Sequence, residues 1–143
     1  SGDYVCALDQ ADLVKEGNDI TLLTYSRMRH HCLKAIEQLE DSNIDVELID
    51  LISLKPFDMK TISKSIKKTS KVLIVEECMK TGGIAAELIS LITEECFDDL
   101  DCRPIRLSSQ DIPTPYNGNL ENLTIIQPHQ IVEKIKQMVN GSI

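Results

Sequence analysis

Tryptophan is absent from this chain, and only five aromatic residues occur: Tyr4, Tyr25, Phe57, Phe97 and Tyr116. So sparse a set offers few faces on which nucleic-acid bases could stack. Positive charge is scarce too, because 15 Lys and Arg stand against 23 Asp and Glu. The resulting net charge of -8 repels a phosphate backbone, and no nucleic-acid partner is expected. The five cysteines, at 6, 32, 78, 96 and 102, form no Cys-x-x-Cys pair. Neither a disulfide framework nor a zinc site is written there, and reduced thiols suit a cytosol-like or organelle-stroma compartment. No apolar run approaches the roughly 20 residues of a membrane-spanning helix, so no membrane partner is expected. The opening residues lack the basic, apolar and small-residue succession of a signal peptide, which places any targeting segment outside this chain.

What is present is a length of 143 residues, 42% of them hydrophobic and 27% charged, which suits one soluble domain around one core. Strand and helix signals alternate along it. "ITLLTY" (20 to 25) reads as a strand that ends at Ser26, a helix-capping residue type, ahead of an amphipathic helix over 26 to 40 carrying Met28, Cys32, Ile36 and Leu39. "DVELIDLI" (45 to 52) is the next strand, closed by Pro56, and Asp58 caps a helix with Met59, Ile62 and Ile66 on its apolar side. "KVLIVEE" (71 to 77) is a continuous apolar run of the kind buried on both faces of a sheet. A further amphipathic helix runs from Ile84 to Cys96, "PIRLSS" (104 to 109) reads as a strand, "QDIPTPYNGN" (110 to 119) as an irregular loop, and Pro128 opens a last helix. "NLTIIQ" (122 to 127) supplies a fifth strand, while residues 1–19 look like an extended lead-in to a domain spanning 20–143. This alternation predicts a three-layer α/β/α sandwich on a mostly parallel five-stranded sheet.

Three constellations invite a chemical reading. In "EECMKTGGIAAEL" (76 to 88), Gly82 and Gly83 stand between a strand and a helix, where backbone amides often meet an anion. A P-loop needs a Lys-Ser/Thr pair after its last glycine, and a dinucleotide fingerprint needs a third glycine. Ile84, Ala85 and Ala86 supply neither, which favours a packing or contact role for the glycines. "RHHC" (29 to 32) offers metal-ligand types, but adjacent helical residues point about 100° apart, and His129 stands alone. Glu94, Glu95, Asp98, Asp99 and Asp101 form the densest acidic run: a solvated helix end, or a docking surface for a basic partner. Lys60, Lys64, Lys67, Lys68 and Lys71 read as a solubilising face.

The stretches "LTYSRM", "VELIDLISLKPFDMKTISKSIKKT", "KVLIVEECMKTGGIAAEL" and "RLSSQDIPTPY" together resemble the carboxy-terminal domain of pyruvate dehydrogenase β subunits, most closely the plastid type, within the wider transketolase carboxy-terminal group. The likeness runs from about Leu8 to Val139 and lies in the combination of motifs. It implies a transketolase C-terminal-like fold and a thiamin-diphosphate- and magnesium-dependent parent enzyme in the plastid stroma, with the mitochondrial matrix or a bacterial cytoplasm as the alternative. The cofactors would lie between the α subunit and the amino-terminal domain of β, with none bound by this chain and no catalytic residue in it. The implied partners are the α subunit, a second β subunit and the peripheral subunit-binding domain of the dihydrolipoyl acyltransferase. Asp101, with Asp98 and Asp99, would meet that basic domain, and Gly82, Gly83 and Ile84 would lie at a subunit contact. The family usually carries arginine where this chain has Ile52, which removes a five-donor cation from that point. Two other assignments compete: a branched-chain 2-oxo acid dehydrogenase β subunit, and a stand-alone flavodoxin-like or receiver-like module with phosphate or flavin near Ser26.

Overall fold

A computed structural model describes residues 7–141. Four parallel strands, β2 (Ile20–Thr24), β3 (Val46–Asp50), β4 (Val72–Met79) and β5 (Ile105–Ser109), form the body of one sheet. β1 (Asp12–Lys15) adds an antiparallel edge, giving the order β1-β3-β2-β4-β5. Two helices, α1 (Met28–Glu37) and α5 (Pro128–Val139), cover one face; α2 (Met59–Thr69) and α3 (Ile84–Cys96) cover the other. The expected three-layer sandwich is therefore the one found. β2 and β3 are buried throughout, and β4 from Val72 to Glu76, as their apolar runs require in a sheet covered on both sides.

Local signals explain the helices. Asp58 caps α2 by accepting from the Thr61 amide at 3.1 Å and the Thr61 hydroxyl at 2.6 Å, a feature that contributes about 1 kcal/mol. α2 is then fixed to the sheet by a buried hydroxyl cluster in which Thr21 Oγ1 lies 2.6 Å from both Ser65 Oγ and Thr69 Oγ1. Pro128 sits in the first turn of α5, where its missing N–H costs nothing.

Three expectations are corrected. Residues 122–127 are not a strand: α4 (Gly118–Thr124) takes up the first three of them, and Ile125 and Ile126 follow as buried irregular chain. The cause is Asn117, whose side chain accepts from the amides of Asn119 at 2.9 Å and Leu120 at 3.4 Å and so starts a helix ahead of the β-branched run. The fifth strand instead comes from the segment taken as a lead-in. Residues 12–15 pair with the open edge of β3, Asp12 opposite Asp50 and Lys15 opposite Leu48, because that edge carries amides and carbonyls in need of partners. The start of that lead-in, residues 1–6, lies outside the described residues. Finally, Ser26 does not cap α1: it adopts φ 54°, and only its carbonyl takes part, accepting from Arg29 N at 3.2 Å in the turn from β2 into the helix.

Candidate functional site

In an open α/β sheet, ligands customarily sit beyond the carboxyl ends of the strands where the strand order reverses. Here that point lies between β2 and β4, because β3 is added on one side of β2 and β4 on the other. The chain fills it with its own side chains. Glu76, fully buried at the end of the buried part of β4, accepts from Ser108 Oγ at 2.7 Å, from the backbone amide of Ala85 at 3.0 Å and from the Tyr25 hydroxyl at 3.3 Å. Ala85 belongs to the first turn of α3, so the positive end of that helix is already occupied by an internal carboxylate. Gly83 permits the approach: a Cβ there would stand 2.5 Å from Glu76 Oε1 and 2.7 Å from the Met79 carbonyl oxygen. A Cβ at Gly82 would meet nothing within 4 Å, and this residue serves the turn through its φ of 77°. Gly83 thus makes room for Glu76 where a phosphate site would hold its anion.

Tyr25 completes the plug. Its hydroxyl lies 3.5 Å from Cys78 Sγ as well as facing Glu76. Burial first, then the Cys78 hydrogen bond and the Glu76 charge, push its ionisation far above the ordinary phenol range. The tyrosine therefore stays neutral and acts as a donor. Outside it, Arg27 spans Glu77 at 3.5 Å and Glu121 at 3.2 Å, linking the chain after β2 to β4 and α4. A receiver-like or flavin-binding module would need this crevice open.

Around β3 the cation missing at position 52 has a neighbour. Arg29 reaches Asp12 at 2.8 Å and Asp50 at 3.0 Å, and Asp50 also accepts from the Ile52 amide at 3.2 Å. The hydrogen bond to Asp50 leads the causes that raise the already high pKa of Arg29, so this guanidinium is permanently charged. Ile52 itself is 37% exposed and holds φ 56°, an uncommon backbone conformation for a β-branched residue.

The opposite, amino edge of the sheet has another character. Asp98 and Asp99 lie in a 3₁₀ turn that ends α3, and the Asp101 amide bonds the Ser70 carbonyl at 2.9 Å ahead of β4. The Asp101 side chain, 67% exposed, lies 3.4 Å from Lys71. Beside this acidic segment Thr93, Phe97, Leu100, Cys102, Arg103 and Pro104 line an open hollow of about 370 Å³, with Phe97 exposed at its rim. The contact residues named from sequence therefore divide between two ends: Asp98, Asp99 and Asp101 at the amino edge, Gly82, Gly83 and Ile84 at the carboxyl edge.

The lysine face is only partly a solvated one. Lys68 holds the buried Glu47: burial works to raise that carboxyl group, but hydrogen bonds from Lys68, Ser65 and the Gly17 amide prevail and keep it ionised below the usual range. His31 Nδ1 contacts the Ile126 carbonyl oxygen at 2.9 Å, and among the described residues no three His, Cys, Asp or Glu side chains converge as a metal would require. Glu76, Tyr25 and Ser108 were not singled out in the sequence. The available signal was a carboxylate ending an apolar strand, since a buried Glu always needs a partner.

The family model for the transketolase C-terminal domain matches residues 9–131. The chain belongs to the transketolase C-terminal domain family. Among curated relatives of this family member, the pyruvate dehydrogenase E1 component subunit beta of Porphyra purpurea is 60% identical over 140 residues, 98% of this chain and 42% of the relative. The chloroplastic pyruvate dehydrogenase E1 component subunit beta-2 of Arabidopsis thaliana is 54% identical over 136 residues, 95% of this chain and 34% of its own length. This domain thus spans less than half of the relatives it matches. Among solved structures, a split-gene transketolase described as an inactive beta4 tetramer superposes with a TM-score of 0.81 at 23% identity, covering 98% of this chain and 44% of that one. At that identity the likeness shows the fold, and the observed sheet and helices agree with it.

Proposed function

We propose that this chain is the C-terminal assembly domain of the β subunit of a plastid pyruvate dehydrogenase, the thiamin-diphosphate-dependent component that oxidatively decarboxylates pyruvate. The observation that carries this is the 60% identity across 98% of the chain to a relative of that name, supported by the chloroplastic Arabidopsis thaliana relative. The switch-point geometry supports an assembly role over a cofactor-binding one. With Glu76 against the first turn of α3 and no room for a Cβ at Gly83, the carboxyl ends of β2 and β4 do not fit a diphosphate or its magnesium ion. Those groups belong, on this reading, to the α subunit and to an upstream β domain. Calorimetric titration of this chain with thiamin diphosphate and magnesium is expected to show no micromolar binding.

Assembly would proceed at both ends of the sheet. The Gly82–Ile84 turn faces a second β subunit on the α3 side, and the acidic amino edge receives the basic peripheral subunit-binding domain of the dihydrolipoyl acyltransferase. Exposed charge of this kind mainly speeds and orients association. A rim pair contributes about 0.2 to 1 kcal/mol, whereas truncating one member of a desolvated pair costs about 2 to 5 kcal/mol. Titrating the intact α₂β₂ enzyme, wild type and Asp101→Ala, with that binding domain at two salt concentrations tests the assignment. Weaker binding by the variant and by wild type at high salt is expected; equal affinities remove Asp101 from the interface, and salt-independent binding removes the electrostatic argument.

A further inference from the structure

Of the nine large apolar side chains exposed among the described residues, seven lie at the carboxyl end of the sheet: Leu8, Ile52, Met79, Ile112, Tyr116, Leu120 and Leu123. Only Leu13, within β1, and Phe97, at the amino edge, lie elsewhere. So uneven a distribution marks a covered surface, because soluble proteins rarely leave adjoining apolar groups to water at one end. Its densest part lies beyond β4 and β5. The Gln110 amide bonds the Thr124 carbonyl at 3.3 Å, which holds α4 against the end of β5. Met79 and Ile112 then line a small cavity with Glu121 and Thr124, and the buried Ser109 hydroxyl, without a hydrogen-bond partner among the described residues, lines it too. On α4, Leu120 and Leu123 are 53% and 74% exposed, and Tyr116 just ahead of the helix is fully exposed.

The direction of β1 indicates what covers this end. β1 runs antiparallel to β3, with Asp12 opposite Asp50 at the carboxyl end, and the Ala11 amide bonds Asp58 at 3.1 Å on the same side. The polypeptide therefore enters β1 from the apolar end. The curated relatives, of which this domain spans 42% or less in the two cases above, carry most of their length elsewhere. A preceding domain of about 100 residues has a radius of gyration of about 13 Å. It is wide enough to bridge the gaps from β1 to β5 in the five-stranded sheet, which sum to about 19 Å.

We propose that the Met79, Ile112, Tyr116, Leu120 and Leu123 surface is the seat of the region that precedes this domain in the same subunit. The carboxyl end is then an intrasubunit interface on the α4 side, separate from the Gly82–Ile84 turn on the α3 side. The proposal rests on the β-subunit reading above, and the two fail differently. If the native polypeptide proves to end near Ser1, the reading itself fails; if it is longer and the surface stays open, only the interface assignment fails.

Hydroxyl-radical footprinting of the full-length β subunit decides the matter, performed at a concentration where it is monomeric and again with the α subunit. With each rate divided by the intrinsic reactivity of its residue type, Tyr116, Leu120 and Leu123 are expected to react several-fold more slowly in the β monomer than Phe97, their exposed counterpart at the other end. Reactivity equal to Phe97 in the monomer, with protection only after β self-association or α addition, would assign the surface to another chain and overturn the proposal. Reactivity equal to Phe97 in every state would overturn it as well.

Discussion

The two ends of this sheet are built from opposite materials. At the carboxyl end a buried carboxylate, a neutral tyrosine and a helix amino terminus close on one another, and apolar side chains surround the plug. At the amino end the chain finishes α3 with aspartates that remain in water, beside an open hollow and an exposed phenylalanine. The difference teaches that the customary ligand position of an α/β sheet can be spent on internal structure. Polar groups at the plug are committed to each other, whereas the Asp101 side chain at the amino edge is 67% exposed with one long ion pair to Lys71.

The largest expected effect tests that commitment. Glu76→Ala leaves the Tyr25 and Ser108 hydroxyls and the Ala85 amide without their acceptor, and is expected to cost about 3 kcal/mol or more of stability. Urea unfolding of the variant measures it, and a loss under about 1 kcal/mol would break the contrast between the ends. Gly83→Ala comes next. Its Cβ would meet the Met79 carbonyl at 2.7 Å, a backbone atom that cannot turn aside, so about 1 to 3 kcal/mol is expected. Gly82→Ala has open space and only its φ of 77° to oppose it, at about 1 to 2 kcal/mol. Equal costs with identical thermal unfolding would show that Gly83 is not held by Glu76.

Alkaline titration sharpens the same side. Cys32, behind the plug on α1, is pushed up to about 12 from an ordinary value near 9, by burial first, with a hydrogen bond to Thr24 in partial opposition. The unfolded chain therefore gives up this proton before the folded one does. The stabilisation is complete below pH 9 and is lost as pH rises toward about 12, at about 1.4 kcal/mol per pH unit. Tyr25, also raised, adds to the loss above its ordinary value of 10. Denaturant midpoints between pH 8 and 11 should fall, and Cys32→Ala should flatten the first part of the slope; a pH-independent midpoint would contradict both assignments. The smallest effect belongs to the amino end. Asp101→Ala, at a side chain 67% exposed with a single long ion pair, should change the stability of this domain by no more than about 0.5 kcal/mol, so that any effect on docking is an effect on the interface.

Most of the fold was legible because its signals are local. The apolar run of β4, the Asp58 cap and the Pro128 start act within a few residues and appear where their chemistry places them. The two segments misassigned as strand and lead-in depended on something farther away. Thr124-Ile125-Ile126 has the composition of a strand, but the Asn117 cap starts a helix before it, and the vacant edge of β3 is filled from residues 12–15 instead. At the candidate site, the glycine pair was visible as a pair, yet its reason was not: Glu76, Ser108 and Tyr25 are separated by 32 and 51 positions along the chain.

The sequence by itself determined the class of fold, the alternation of strands and helices and the acidic end of α3, because periodicity, capping and charge are properties of neighbouring residues. Only the tertiary structure decided that a carboxylate from β4 occupies the start of α3, that β1 closes the sheet in the antiparallel sense, and that the exposed apolar side chains gather at one end. Those outcomes depend on which strand edge lacks a partner and which buried charge needs a donor, and neither is set until the whole sheet is assembled.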